Sequence, residues 1–344
     1  MIRRLLVLLL LAVALGTLAG RELLRFWEEP LRVPEDGLYF TVQQGDSLAN
    51  IAAKLREEGV LSHPRLLTLY GRFTGRDQAI KRGEYLIPEF STARSLLLLL
   101  VSGEIVQYEV TLPEGITLSR ALGILAAHPA LGVALAGAGD PEVLALAAPE
   151  SHPEGLFFPD TYHFSRGATD LSVLRRARAA MRDVLATEWE ERAAGLPYAD
   201  PYEALIMASI IERETGLPAE RAEIAGVFVR RLQRGMRLQT DPTIIYGLGP
   251  DFDGNLRRSH LQDANNRYNT YRHHGLPPTP IALPGRAAIR AALHPAEGTA
   301  LYFVARGDGG HVFSATLAEH ERAVRKYQLR RRADYRSSPG GSQD

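Results

Sequence analysis

The sequence predicts an α+β protein in three parts: an N-terminal transmembrane helix, a small α+β unit and a larger mixed α+β unit. Three observations carry this. An apolar run from Leu5 to Gly20 follows Ile2-Arg3-Arg4. Strand-like and helix-like patterns alternate between Tyr39 and Pro88. From Tyr108 onward, helical patterns are broken by proline-, glycine- and aromatic-rich stretches. The 344 residues, 45% of them hydrophobic, suffice for two or three domains with real cores. The expected boundaries are 1–27 for the transmembrane anchor, 28–37 for a linker, 38–105 for the small domain, 106–332 for the large one and 333–344 for a disordered tail.

The apolar run is about 16 residues long, and Arg21, Glu22 and Arg25 close it. A spanning helix needs about 20. Snorkelling arginines and continuation through Leu23, Leu24, Phe26 and Trp27 make up the difference. The competing reading is a cleaved signal peptide, for which Ala12-Val13-Ala14 and Thr17-Leu18-Ala19 offer small-residue sites. Arg3 and Arg4 set the N-terminus inside. Either way, residues from about 30 onward lie outside the cytoplasmic (inner) membrane.

Residues 28–37 are polar, with two prolines, and read as a linker. Tyr39–Gln44 reads as a strand, Gly45 as a turn, and Asp46 or Ser47 as the cap of a helix through about Glu58. Leu48, Ile51, Ala52 and Leu55 recur at helical spacing. A second helix covers His63 to Phe73 and a strand lies near Glu84–Pro88. With its Gly45-Asp46-Ser47-Leu48 opening, this strand–helix–helix–strand segment resembles a LysM module, which implies binding of N-acetylglucosamine-containing glycan. A plain α+β spacer is the alternative. Tyr108–Leu118 echoes the opening, with Gly115, Thr117 and Leu118 in place of Gly45, Ser47 and Leu48. No function attaches to the echo.

Residues 119–150 are rich in Ala, Leu and Gly and read as helical. Leu156–Phe164 reads as an aromatic-rich break before a long helix from about Thr169 to Ala193. Asp200-Pro201-Tyr202-Glu203 opens another helix: Asp as cap, Pro at the first position, an acid in the first turn. It runs to Thr215 before Gly216 and Pro218, and it is apolar enough to be buried. Glu212 and Glu214 lie near its C-terminal end, where the helix dipole and apolar surroundings both favour the protonated carboxyl. A general acid needs that condition. Glu212 shares a face with Ala208. Glu214 is rotated by about 200° toward the exposed end. Read from helix physics alone, both also pass as ordinary solvated glutamates paired with Arg213 or neighbouring arginines.

Two polar clusters follow. Gln239-Thr240-Asp241-Pro242 between apolar runs suits a loop at a site mouth, or turn chemistry with Asp241 capping the next helix. Tyr268-Asn269-Thr270-Tyr271, before Gly275-Leu276-Pro277-Pro278, offers aromatic faces and amides that suit sugar rings, or an ordinary structural loop.

Ala208–Thr215, Leu238–Thr243, Tyr268–Tyr271, Gly275–Pro278, Leu301–Val304 and Gly309-Gly310-His311 together resemble the MltG (YceG-like) endolytic murein transglycosylases, over nearly the whole chain. Asn266-Arg267 and Thr279 depart from the usual pattern, which bears on loop detail. The resemblance implies a lyase that cuts the MurNAc–GlcNAc bond of peptidoglycan strands and leaves 1,6-anhydro-MurNAc ends, with Glu212 as acid and base. It implies a part in terminating nascent strands, with penicillin-binding protein synthases as partners. Gln239, Thr240, Asp241, Tyr268, Asn269 and Thr270 are the expected substrate-binding residues.

Composition narrows the rivals. Formal net charge is zero, so no basic excess serves a nucleic acid. Cysteine is absent, which removes disulfides, thiolate metal sites and cysteine nucleophiles. His320-Glu321 lacks a second histidine at zincin spacing, and His273-His274 are adjacent. No metal or cofactor is expected. A hydrolytic muramidase using Asp241 as base and a non-enzymatic peptidoglycan-binding scaffold remain the alternatives.

Overall fold

The computed structural model describes residues 2–329; the expected tail, 333–344, lies outside them, as do residues 330–332 of the large domain. The chain is mixed α and β. It forms two compact units, one comprising residues up to Tyr108 with His163–Gly167, the other Glu109–Tyr162 with the chain from Ala168 onward.

The first unit contains α1 (Ile2–Glu28), β1 (Leu38–Val42), α2 (Leu48–Glu57), α3 (Pro64–Phe73), β2 (Gly83–Ile87) and α4 (Ala93–Ser102), and ends at Tyr108, the first residue of β3 (Tyr108–Thr111). β1 and β2 pair antiparallel, Leu38 opposite Ile87 and Val42 opposite Gly83. Gly45 takes the positive φ of 87° that the turn after β1 requires. Ser47 then caps α2, accepting from the Asn50 amide. Leu48, Ile51, Ala52 and Leu55 face the core, the 3.6-residue pattern made physical. α4 opens with a Thr92–Ser95 capping box and buries Leu96, Leu97 and Leu100 in the same core.

One expectation at the N-terminus is corrected. Residues 28–37 are no loose linker. The Leu31 amide donates to the Ser91 carbonyl at 2.7 Å, and Leu31 and Val33 pack on the core. Their apolar side chains, hidden among prolines and acids, fix the segment. A helix covers the segment expected over 1–27, and among the described residues no helix is long and apolar enough to cross a membrane. Arg21, Glu22 and Arg25 occupy the second half of α1, and its last turn belongs to the unit. Phe26 is buried, and the Trp27 and Tyr70 rings lie 4.3 Å apart. Nearer the start of α1, Leu9, Leu10, Leu11, Val13, Leu15 and Leu18 are exposed.

The second unit holds the rest of β3, α5 (Leu118–Ala127), α6 (Pro141–Ala147), the first two residues of β4 (Thr161–Phe164), α7 (Asp170–Glu190), α8 (Pro201–Glu214), α9 (Arg221–Gln233), α10 (Asp241–Leu248), α11 (Arg258–Gln262), α12 (Arg286–Leu293), the antiparallel hairpin β5 (Tyr302–Ala305) and β6 (His311–Ser314), and α13 (Leu317–Val324). The echo of the β1–α2 turn is reproduced: Gly115 has φ 76° and Thr117 caps α5 through the Arg120 amide. The expected helical run 119–150 is interrupted between Ala127 and Pro141, and the aromatic break holds a short strand, β4. α7 is capped by a Thr169–Ser172 box. α8 is the axis of this unit, with every residue from Ala204 to Ile211 buried. It packs most extensively on α12, and also on α7, α9 and α10.

Candidate active site

α8 begins as its sequence dictates. The Asp200 carboxylate accepts from the Glu203 amide at 2.9 Å, and the Glu203 carboxylate reaches back to the Ala199 amide at 2.7 Å. Midway, the buried Ser209 hydroxyl donates to the Ile206 carbonyl and accepts from the Ile281 amide at 3.0 Å. That bond ties the segment preceding α12 to α8. The apolar run ends at Glu212, so the first charged group of the last turn emerges among buried side chains.

The Glu212 side chain is only 6% exposed. Its Oε2 accepts from the Gly285 amide at 3.0 Å, and its Oε1 from Arg221 Nη2 at 3.4 Å. Burial raises the pKa of its carboxyl above the ordinary glutamate value, and the Glu114 carboxylate adds to the rise. The Gly285 N–H and Arg221 oppose it. Glu114 stands on the turn after β3. That turn is bound to the loop before α12 by two backbone bonds, Gly115 to Leu283 and Leu283 to Ile116, both 2.8 Å. Arg213 of α8 donates to the Gly115 carbonyl at 3.0 Å. The carboxyl of Glu212 therefore lies where the ends of α8, the β3 turn, the start of α9 and the start of α12 converge.

Glu214 departs from expectation. It does not sit at an exposed end. Its carboxylate accepts from the Thr240 hydroxyl, and burial raises its pKa to about 7. The reason is the next polar cluster, which folds over the end of α8. The Thr240 amide donates to the Thr270 hydroxyl at 3.0 Å, and the hydroxyls of Thr243 and Thr270 lie 2.9 Å apart. Gln239 is exposed, takes a positive φ of 53°, and its amide donates to the Thr270 carbonyl. Asp241 does not cap α10. The helix starts at Asp241 itself, after Thr240, and the exposed Asp241 carboxylate accepts from the Tyr271 hydroxyl at 2.8 Å.

The structure thus joins the 239–241 and 268–270 clusters to each other and to Glu214. Among the described residues, none of these six hydrogen-bonds Glu212. Asn269 is fully buried and spends its amide on the carbonyls of His260, Leu261 and Asp263 and on the Tyr271 amide, which makes it a loop strut. Tyr268 is half-buried, its hydroxyl 2.9 Å from that of Thr279 and its ring edge-on to Tyr246. His273 and His274 diverge, one toward the Ala264 carbonyl and the other toward the Gly235 carbonyl.

Sequence reasoning missed Glu114, Arg221, Gly285 and Glu154. The signal for Glu114 was present in the Pro113-Glu114-Gly115 turn of the echo. Glu154 gave none. It is buried, accepts from the Leu118 amide at 2.8 Å and the Tyr246 hydroxyl at 3.1 Å, and burial raises its pKa to about 7.

Residues 40–326 match the YceG-like family, a stretch that includes every residue of this site. The chain belongs to the YceG-like family. Its similarity to the endolytic murein transglycosylase of Bacillus subtilis (strain 168) is 29% identity over 308 residues, 83% of each chain. It is 28% identical over 320 residues to the endolytic murein transglycosylase of Streptococcus pneumoniae (strain D39), covering 83% of this chain and 57% of that one. Among solved structures, a YceG-like protein from Listeria monocytogenes superposes with a TM-score of 0.51 at 28% identity, over 84% of this chain and 99% of that one. The YceG-like match begins within β1, so α1 lies outside it.

Proposed function

We propose that this YceG-like chain is an endolytic murein transglycosylase that cuts peptidoglycan strands between MurNAc and GlcNAc and leaves 1,6-anhydro-MurNAc ends. The observation that carries the reading is Glu212, a nearly buried carboxyl whose pKa burial raises above the ordinary glutamate value, and yet within reach of an amide and a guanidinium that stabilise its anion. Such a group serves first as acid and then as base. Glu212 donates its proton to the glycosidic oxygen as the C1–O bond breaks. The resulting carboxylate, steadied by the Gly285 N–H and Arg221, takes the proton of the MurNAc 6-hydroxyl as that oxygen bonds to C1. No water is consumed, so the pair of carboxylates flanking the bond in ordinary glycosidases is not required.

Gln239, Asp241 and Tyr268, with solvent-accessible polar atoms or ring faces, contact the glycan in this reading. Thr240, Asn269 and Thr270 are largely committed to the loop itself and shape it. The first unit is LysM-like and binds the strand, a reading supported by its strand–helix–helix–strand order around one antiparallel pair. The exposed leucines of α1 attach the chain to the membrane, with the catalytic unit outside. There it ends nascent strands beside penicillin-binding synthases.

The test is strand length. Full chain incubated with isolated sacculi is expected to shorten the glycans by internal cuts, and a Glu212→Gln chain is expected to leave them unchanged. Unchanged length with the folded wild-type chain, despite binding to sacculi, would replace the enzyme with a scaffold.

A further inference from the structure

We infer that Glu114 is a positioning residue of this site, competing with Glu212 for the Arg221 guanidinium and thereby setting the pH at which Glu212 gives up its proton. The inference rests on the reading of Glu212 as acid and base.

The geometry is that of one cation shared by two anions. Arg221 Nη2 lies 3.4 Å from Glu212 Oε1 and 3.8 Å from Glu114 Oε2. The Arg221 side chain is 13% exposed, so water screens it little. Among the described residues, its Nε is buried with no hydrogen-bond partner. Two other arginines of α9 are held differently. Arg230 donates to the carbonyls of Ala296 and Ala300, and Arg231 to those of Leu238 and Leu301. Backbone carbonyls fix those two in place. Among the described residues, Arg221 is held by the two carboxylates, which lets it shift between them.

Glu114 is also placed by shape. A Cβ on Gly285 would fall 1.8 Å from Glu114 Oε1, so the glutamate rests against the bare Cα of the residue whose N–H binds Glu212. Two carboxylates therefore flank Gly285 and Arg221 together. While Glu212 is protonated, Glu114 is the anion that balances Arg221. When Glu212 has lost its proton, the guanidinium moves to it and the half-exposed Glu114 turns to water.

Other charged groups facing Glu212 are engaged elsewhere. On α8, Arg213 binds the Gly115 carbonyl and Glu214 binds Thr240. Arg286 and Arg290 of α12 pair with Glu188 of α7. Glu220, beside Arg221, pairs with His311, and Asp241 of α10 binds the Tyr271 hydroxyl.

The experiment measures kcat/KM against pH for the full chain, with Glu114→Gln, Glu114→Asp, Arg221→Met and Glu212→Gln beside it. The high-pH limb reports loss of the Glu212 proton. Removing the rival anion frees Arg221 for Glu212, so Glu114→Gln is expected to move that limb down by about one pH unit, about tenfold in rate on the high-pH side. Arg221→Met is expected to move it up, and Glu114→Asp to keep it near wild type. A merely structural role would lower both profiles without moving the limb in opposite directions. Glu114 is half-exposed, so its variants are expected to fold even where Arg221→Met does not. A Glu114→Gln limb that coincides with wild type, while Glu212→Gln is inactive, overturns this inference alone. An active Glu212→Gln chain overturns the reading of Glu212 beneath it.

Discussion

Glu154, Glu212 and Glu214 show how burial sets the protonation of a carboxyl. Each is lifted above the ordinary glutamate pKa chiefly by desolvation. For Glu154 the consequence for stability has a definite sign. Its folded value of about 7 exceeds the ordinary 4.5 of an unfolded chain. Its contribution is therefore fully present below about pH 4.5 and lost as pH rises through 7. Glu154→Gln stays neutral throughout. At pH 8 it is expected to be more stable than wild type by on the order of 3 kcal/mol, with the difference vanishing near pH 4. Urea unfolding at the two pH values reads this directly, and parallel pH dependences for the two proteins would contradict it. At this scale the sequence showed that Glu212 ends a buried apolar helix, but helix physics alone did not separate it from an ordinary solvated glutamate; the family resemblance singled it out. It was not legible for Glu114 or Arg221, whose meeting depends on the β3 turn and α9 reaching the same spot. Nor did it show Asn269 as a strut, since an amide that binds carbonyls six to nine residues away reads the same as one that binds sugar.

α8 and the segment before α12 form the frame on which the candidate site depends. Ser209 joins them with a buried bond to the Ile281 amide. Ser209→Ala strands that N–H among apolar side chains, and the expected loss is about 1–3 kcal/mol of stability. Chemical denaturation measures it; an unchanged midpoint would show the bond to be dispensable. The elements themselves were largely readable. Capping residues Ser47, Thr117, Thr169 and Asp200 mark helix starts by local chemistry that does not depend on distant contacts. The breaks were harder. The gap between α5 and α6 lies in an Ala- and Leu-rich stretch that Pro129, Gly132, Gly137 and Gly139 break, and β4 is too short for periodicity to reveal.

For the whole molecule, α1 contains two different stretches that its sequence presents as one apolar run. Leu9, Leu10, Leu11, Val13, Leu15 and Leu18 are exposed, whereas Phe26 enters the core of the first unit. A chain beginning at Arg21 keeps Phe26 and Trp27 and is expected to leave the membrane fraction while remaining as stable as the full chain in detergent. A chain beginning at Pro30 loses the buried phenylalanine and is expected to be less stable by about 1.5–3 kcal/mol. Fractionation and thermal unfolding of the two truncations test this. Equal stability would mean that the last turn of α1 adds nothing to the core, and a chain from Arg21 that still pelleted with membranes would place the attachment elsewhere. The packing of residues 28–37 was hidden for a related reason: prolines and acids dominate the segment, and the two apolar residues that fix it, Leu31 and Val33, show no period.

The most direct measurement is the mass of the new strand ends released from sacculi by the full chain, beside a Glu212→Gln control. The account predicts ends lighter by one water than hydrolysed ends, the mark of a 1,6-anhydro ring, and their loss in the control while the fold is retained. Ordinary reducing ends, or anhydro ends that persist without the Glu212 carboxyl, would contradict it.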